Sequence, residues 1–239
     1  MGYKLTWVYI RPNGTEQKIR PEWWQPWANT IAYYPLTSVT TTSDMKGSWT
    51  AYDLTNYNVS FTTYQWVDCW VFYGNTNYES WLYNQTAPAR TSWNYTFLCW
   101  FYVGTDTMTY NTRVQWFYGY PCSVYNLGGY YWINNADAWS PRAQITNTSQ
   151  WNLWTITWEW SAVKVYLNWS LEYTWTDSEY SNRFWGTHPW IVIWWSDNPW
   201  SSADKFSWWI SEVIYENKVR TAQEIADYYN QTKANYWIS

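Results

Sequence analysis

From Thr30 onward the chain is a succession of short runs rich in Tyr, Thr, Val, Trp and Phe, each closed off by Asn, Asp, Pro, Ser or Gly. The runs fall at 31–36, 59–62, 67–73, 95–103, 114–118, 123–127, 143–146, 153–158, 163–167, 171–173, 190–193 and 206–215. β-Branched and aromatic side chains suit a pleated, half-buried surface, and turn residues at such short intervals leave no room for long helices. A chain patterned this way buries its strands by stacking antiparallel sheets, so the expected class is an all-β, two-sheet antiparallel sandwich. One segment breaks the pattern. At 221–230, Thr221 stands as an N-cap with Glu224 three positions on, and Ile225, Tyr228 and Tyr229 share one face, which predicts a single short C-terminal helix opened by a capping box.

The first 29 residues read differently. Residues 4–10 alternate polar and apolar, Arg11, Pro12, Asn13 and Gly14 form a turn signal, and 15–20 alternate again, which predicts an N-terminal β-hairpin with an Asn-Gly turn. An isolated hairpin is marginal in water and needs a partner: this domain, a second copy of the chain, or a neighbour in a virion or surface assembly. Residues 21–29 read as a linker. The expected organisation is therefore a hairpin and linker over 1–29 and one sandwich domain over 30–239. A chain of 239 residues is long enough to bury about three quarters of its extended surface without a disulfide or metal staple.

Charge and cysteine content narrow the function classes. A net charge of -4 with 13% charged residues offers no basic patch to neutralise phosphates, which argues against a nucleic-acid partner. Cys69, Cys99 and Cys122 are odd in number and show no Cys-x-x-Cys spacing. They read as buried small hydrophobes, with one disulfide and a leftover thiol as the alternative. The N-terminus has no cationic start followed by an apolar run, and no stretch of about 18 apolar residues exists, so neither a signal peptide nor a membrane span is expected.

Tryptophan is the anomaly. The chain has 27 Trp but 9 Gly, where about 7% Gly, or roughly 17, is ordinary. Many Trp stand where turn chemistry asks for glycine: Trp23, Trp24 and Trp27 around Pro26, Trp49 after Ser48, Trp139 before Ser140-Pro141, Trp169 after Asn168, and Trp200 after Asn198-Pro199. Glycine takes a positive φ at no steric cost, and Trp takes it badly. Three explanations compete: a Trp-rich surface for stacking on sugars, low-complexity bias, and a gene whose UGA codons are read as glycine in its host but printed as Trp. The varied remaining sequence speaks against the second, and the turn positions favour the third. UGG codons at Trp23, Trp24, Trp169 and Trp195 would sink it.

Four segments together resemble laminin-G-like jelly-roll domains of the concanavalin A-like superfamily. They are Ile-Ala-Tyr-Tyr-Pro-Leu at 31–36 followed by Asp44 and Gly47; Val67 to Gly74, ending Phe-Tyr-Gly; Tyr95 to Val103, with Trp100 at the position of the family's core Trp; and the series 151–157, 163–169 and 206–215, closed by the helix ending at Tyr229 and Asn230. The resemblance covers about residues 30–237 and rests on order and spacing more than on any one motif. It implies a jelly-roll topology for the sandwich, and glycine is usual in that family at the positions of Trp169 and Trp208. The arrangement of preface, linker and jelly roll is also similar to phage virion or tail-associated proteins and bacterial surface adhesins.

Glycosidases of this class carry carboxylates as Glu-x-Asp-x-Glu on one strand, so that all point to one face. The chain has no such run; Asp177-Ser-Glu179 lacks the leading Glu and lies in a polar turn region. Glu212 and Glu216 are expected at a strand edge in a solvated or structural role, and the lone His188 before Pro189 reads as a surface residue. No catalytic residue is assigned. The resemblance implies that loop carboxylates can hold calcium, a hard cation suited to oxygen ligands. Asp44 lies in the matching loop with Asp68 or Asp204 as neighbours, although Asp44 capping a turn is the simpler reading.

Sugars lay their C–H faces on aromatic rings, and the Tyr-dense stretch offers Tyr118, Tyr120, Tyr130 and Tyr131 as ligand-binding candidates, with Trp116 discounted as a recoding position. Asn-x-Ser/Thr sequons stand at Asn84, Asn94, Asn147, Asn168 and Asn230, unused in a bacterial or phage source. The expected function is a non-catalytic carbohydrate- or surface-binding module, extracellular or virion-associated, whose partner is a glycan or cell-surface polysaccharide. A structural assembly domain is the alternative, and a glycoside hydrolase a more distant one.

Overall fold

Asn94–Val103 (β8) is the longest strand among the described residues, and its composition dictates its place. Leu98, Trp100 and Tyr102 fall on one face and Tyr95, Phe97, Cys99 and Phe101 on the other, yet all seven are buried. A strand apolar on both faces has to lie inside a sheet covered on both sides. The computed structural model describes residues 8–10, 16–18, 29–34, 53–57, 59–72, 81–84, 94–103, 122–127, 130–135, 143–145, 149–176, 191–193 and 208–238.

In chain order the strands are β1 (Val8–Ile10), β2 (Glu16–Lys18), β3 (Thr30–Tyr34), β4 (Thr55–Tyr57), β5 (Ser60–Tyr64), β6 (Val67–Phe72), β7 (Trp81–Asn84), β8, β9 (Cys122–Leu127), β10 (Tyr130–Asn135), β11 (Ala143–Ile145), β12 (Asn152–Glu159), β13 (Ala162–Leu167), β14 (Ser170–Thr176), β15 (Ile191–Ile193) and β16 (Trp208–Glu216). The main sheet runs β14-β13-β12-β8-β16-β6-β5. β16 lies beside β8 along its length, and its other side is shared: β6 pairs with Trp208 to Ile210, and β3 with Val213 to Glu216. The register of β16 against β8 shifts between Ile210 and Glu212, which leaves Ser211 as the extra residue. Among the described residues there are also two three-stranded sheets, β15-β7-β4 and β11-β10-β9, and the β1–β2 hairpin. In the first of them Leu82 is wholly buried.

The result is the expected antiparallel β-sandwich with one short C-terminal helix and an N-terminal hairpin. That hairpin pairs Val8 with Lys18 and Ile10 with Glu16. The expected run at 114–118 lies outside the described residues. Three strands were not expected: β4, β7 and β10.

The helix α1 (Ala222–Thr232) starts where the sequence places it. Thr221 accepts from the Glu224 backbone N–H and Glu224 reaches back to the N-cap, a complete capping box. Lys218 adds an ion pair to Glu224. Burial acts to raise the Glu224 carboxyl, but Lys218 and Thr221 together hold it below its ordinary value. Ile225, Tyr228, Tyr229 and Thr232 form the buried face. A 3-10 turn over Lys233–Tyr236 follows, and Tyr228, Tyr229 and Tyr236 pack on the sheet face carrying Leu98, Trp100, Tyr102, Leu153 and Ile214.

The junction between β16 and α1 is held by buried charge. Glu216, 0% exposed, receives two hydrogen bonds from the Arg220 guanidinium at 2.5 and 2.8 Å and a third from the Thr30 hydroxyl at 3.4 Å. Burial pushes the Glu216 carboxyl above its ordinary value, against the pull of Arg220 and Thr30. The Thr96 hydroxyl pins the same turn, donating to the Lys218 carbonyl at 2.6 Å and accepting from the Arg220 N–H at 2.8 Å.

Candidate functional site

An aromatic ladder crosses the helix-covered face of the main sheet and ends at the surface. Its buried end is Trp100, stacked on Tyr236 at 4.0 Å and on Tyr229 at 5.7 Å. Tyr236 meets Trp151 at 5.5 Å, and Trp151 meets Tyr102 edge-on at 5.9 Å. Tyr102 then contacts Tyr64 at 4.8 Å and Trp209 at 5.7 Å, and those two rings stack on each other at 4.0 Å with an interplanar angle of 18°. Tyr64 and Trp209 are partly exposed, whereas Tyr102 and Trp151 are buried.

Register explains the cluster. Tyr102 stands opposite Trp209 across the β8–β16 pair, Trp209 opposite Val71 on β6, and Tyr64 closes the β5–β6 hairpin opposite Val67. The exposed Gln65, in the hairpin turn, donates from its side-chain amide to the Tyr102 hydroxyl at 3.1 Å. A pair of stacked rings partly open to solvent, with an amide at its edge, can take an apolar C–H face and orient a hydroxyl beside it.

The carboxylates around this face are committed to the fold. Glu212, 1% exposed, accepts from the Tyr236 hydroxyl at 3.2 Å, and the same hydroxyl lies 3.4 Å from Ser211 Oγ. Glu212 and Glu216 therefore have structural roles, but not at an edge: β16 lies within the sheet, between β8 on one side and β6 and β3 on the other. Asp68 is buried and accepts from the Thr63 hydroxyl at 2.9 Å, its cross-strand neighbour. Among the described residues, no group of three or more His, Cys, Asp or Glu is placed to hold a metal ion.

Of the sequence-assigned site residues, Asp44, Tyr118 and Tyr120 lie outside the described residues, as do Asp177, Glu179, His188 and Asp204. Tyr130 and Tyr131 open β10, where they pair with Leu127 and Asn126. Of the sequons, Asn168 is tied into the fold, donating to Asn152 Oδ1 and accepting from the Leu153 N–H, both at 2.8 Å. Cys69 and Cys99 are buried free thiols, and burial raises both, Cys69 to about 12.

Sequence reasoning missed Tyr64, Gln65, Tyr102 and Trp209. The signal was present: the run at 59–62 and the run at 67–73 leave too few residues between them for anything but a tight hairpin, which carries residues beside its turn to the surface.

No family model matches the sequence, and no curated protein matches it. Solved structures do match in fold. The binding domain of botulinum neurotoxin DC, solved with rat synaptotagmin II, superposes with a TM-score of 0.61 at 13% identity, over 84% of this chain and 51% of that one. A botulinum neurotoxin type C structure, from work on cell entry dependent upon two ganglioside molecules, gives 0.59 at 13% identity, over 84% and 51%. Domain 4 of AbnA, a GH43 extracellular arabinanase from Geobacillus stearothermophilus in complex with arabinotriose, gives 0.56 at 17% identity, over 83% of this chain and 97% of that one. The chain thus spans about half the length of the neurotoxin domains it matches and nearly all of the arabinanase domain. At these identities the likeness is one of fold: the protein is a β-sandwich of the architecture seen in these domains.

Proposed function

We propose that this chain is a non-catalytic recognition module that binds carbohydrate at the partly buried Tyr64–Trp209 pair, with Gln65 orienting the sugar. The observation that carries the reading is the stacked pair itself, 4.0 Å between centroids, beside an exposed amide. The commitment of Glu212 and Glu216 to internal hydrogen bonds supports a binding role over a hydrolytic one. Neighbours of the same fold solved with arabinotriose or with SialylT support the ligand class. The finer placement, a laminin-G-like jelly roll of the concanavalin A-like superfamily carried on a virion or cell-surface protein and attached through residues 1–29, rests on the sequence resemblance. Tyr118, Tyr120, Tyr130 and Tyr131 as further ligand contacts, and calcium at Asp44, are proposals on the same footing.

A glycan array on the full chain, with calcium and with chelator, tests this. Binding of a defined glycan that falls at least tenfold in Tyr64→Ala and in Gln65→Ala supports the site. Loss on chelation and in Asp44→Ala supports the metal. No glycan bound under either condition overturns the carbohydrate reading in favour of an assembly domain.

A further inference from the structure

Six non-glycine residues among those described have positive φ, and four of them are tryptophan: Trp66 (66°), Trp160 (55°), Trp169 (83°) and Trp237 (60°). The same four are the most exposed large apolar side chains described, at 81%, 70%, 54% and 74%. An indole gains nothing by being held in water on a left-handed backbone, so neither packing nor conformation accounts for tryptophan at these places.

Turn geometry says what does belong there. β5 and β6 are joined by the two-residue loop Gln65-Trp66, closed by the pair Tyr64 and Val67, with positive φ at both loop residues. β13 and β14 are joined in the same way by Asn168-Trp169, closed by Leu167 and Ser170, again with both φ positive. Two positive φ values define the type I′ hairpin turn, whose favoured second residue is glycine, as in Asn-Gly. β12 and β13 are joined by Trp160-Ser161, closed by Glu159 and Ala162, where the first residue alone has positive φ. That is the type II′ pattern, which places glycine first. Trp237 follows the 3-10 turn in the left-handed conformation (φ 60°, ψ 26°) with its N–H turned back to Ala234 and Lys233, the helix-terminating position that glycine usually fills. In three hairpins and one helix end, Trp occupies the residue that the backbone reserves for glycine.

We infer that residues 66, 160, 169 and 237 of the functional protein are glycine, inserted at UGA codons by a host that reads UGA as glycine. Tryptophan is what such a gene yields when its UGA codons are read by a code that assigns them to tryptophan, and that reading accounts for 27 Trp alongside 9 Gly. Trp100, stacked on Tyr229 and on Tyr236 in the core, is a tryptophan in either reading, so UGG is expected there.

The gene's nucleotide sequence is the direct test: UGA at positions 66, 160, 169 and 237 with UGG at 100 is the expected result, and UGG at all five overturns the inference. A second measurement is independent of the gene. W66G, W160G, W169G and W237G, made singly in the tryptophan-containing chain, should each raise Tm by about 2–4 °C, because glycine relieves the left-handed strain at each turn. An unchanged or lower Tm in the single variants would show that these turns are built for tryptophan and would likewise overturn the inference.

Discussion

Replacing Arg220 by methionine isolates the energetics of the buried junction between β16 and α1. Methionine keeps an unbranched apolar stem in the cavity, and the Arg220 N–H still donates to Thr96 at 2.8 Å, so the backbone of the turn is preserved. What is lost is the guanidinium, with its hydrogen bonds of 2.5 and 2.8 Å to a carboxylate that has no contact with solvent. Removing one partner of such a pair leaves an uncompensated buried charge, which costs about 3–5 kcal/mol. For a chain of this size that is a fall in Tm of about 6–20 °C. The pH dependence identifies the cause. Burial already raises the folded-state Glu216 pKa above its ordinary value, and loss of Arg220 raises it further. A carboxyl whose folded pKa lies above the unfolded one contributes stability that is fully present below the unfolded value, about 4.3, and is lost as pH rises through the folded value. The deficit of Arg220→Met relative to wild type should therefore be small near pH 4 and grow towards pH 7, as measured by urea unfolding at a series of pH values. Adding Glu216→Gln should recover most of the loss at neutral pH, since an amide carries no charge to bury. A deficit below about 1 kcal/mol at neutral pH, or one that does not change with pH, would refute the assignment of Glu216 as an ionised carboxylate neutralised by Arg220.

Two further outcomes follow from the cap and the thiols. Thr221→Ala removes the hydroxyl that accepts the Glu224 N–H and should lower unfolding free energy by about 1 kcal/mol, with Thr221→Ser close to wild type in the same denaturation assay. Cys69 and Cys99 should resist iodoacetamide at about pH 8 in the folded protein and react in urea, because burial keeps both thiols protonated there; mass spectrometry of the labelled peptides reads this directly, and rapid native labelling of either would contradict its burial.

What the sequence made legible was whatever is encoded locally. The capping box at Thr221 and Glu224 and the apolar face of Ile225, Tyr228 and Tyr229 specify α1 without reference to the rest of the chain. The apolar runs that became β8, β12 and β16 are long enough to announce buried strands. β10 carries a local signal as well: Gly128-Gly129 between two aromatic runs is a hairpin signature, and β10 pairs back on β9 from Tyr130 with Leu127. The candidate site was not legible, because it is made by register across four strands: Tyr64, Tyr102 and Trp209 are brought together by pairings that span 145 residues of sequence from Tyr64 to Trp209. The same holds for Glu216, whose partner Thr30 is 186 positions away.

One letter, W, stands for two physically opposite situations in this chain, and the difference bears on the candidate site. Trp100 and Trp151 are enclosed, stacked and part of the core. Trp66, Trp160, Trp169 and Trp237 are exposed, left-handed and stacked on nothing described. Trp66 follows Gln65, the residue whose amide reaches Tyr102, so an indole 81% exposed sits next in sequence to a residue of the candidate site. With glycine at 66 the loop becomes Gln-Gly, the type I′ geometry is relaxed, and the turn loses its large exposed side chain. Glycan affinity measured on W66G thus separates the two origins of aromatic binding. If Tyr64 and Trp209 form the platform, W66G binds as well as or better than the chain with Trp66, and Tyr64→Ala in the W66G background abolishes binding. If the indole at 66 is itself the ligand contact, W66G loses binding while Tyr64→Ala retains it, and the platform must be redrawn around the turn.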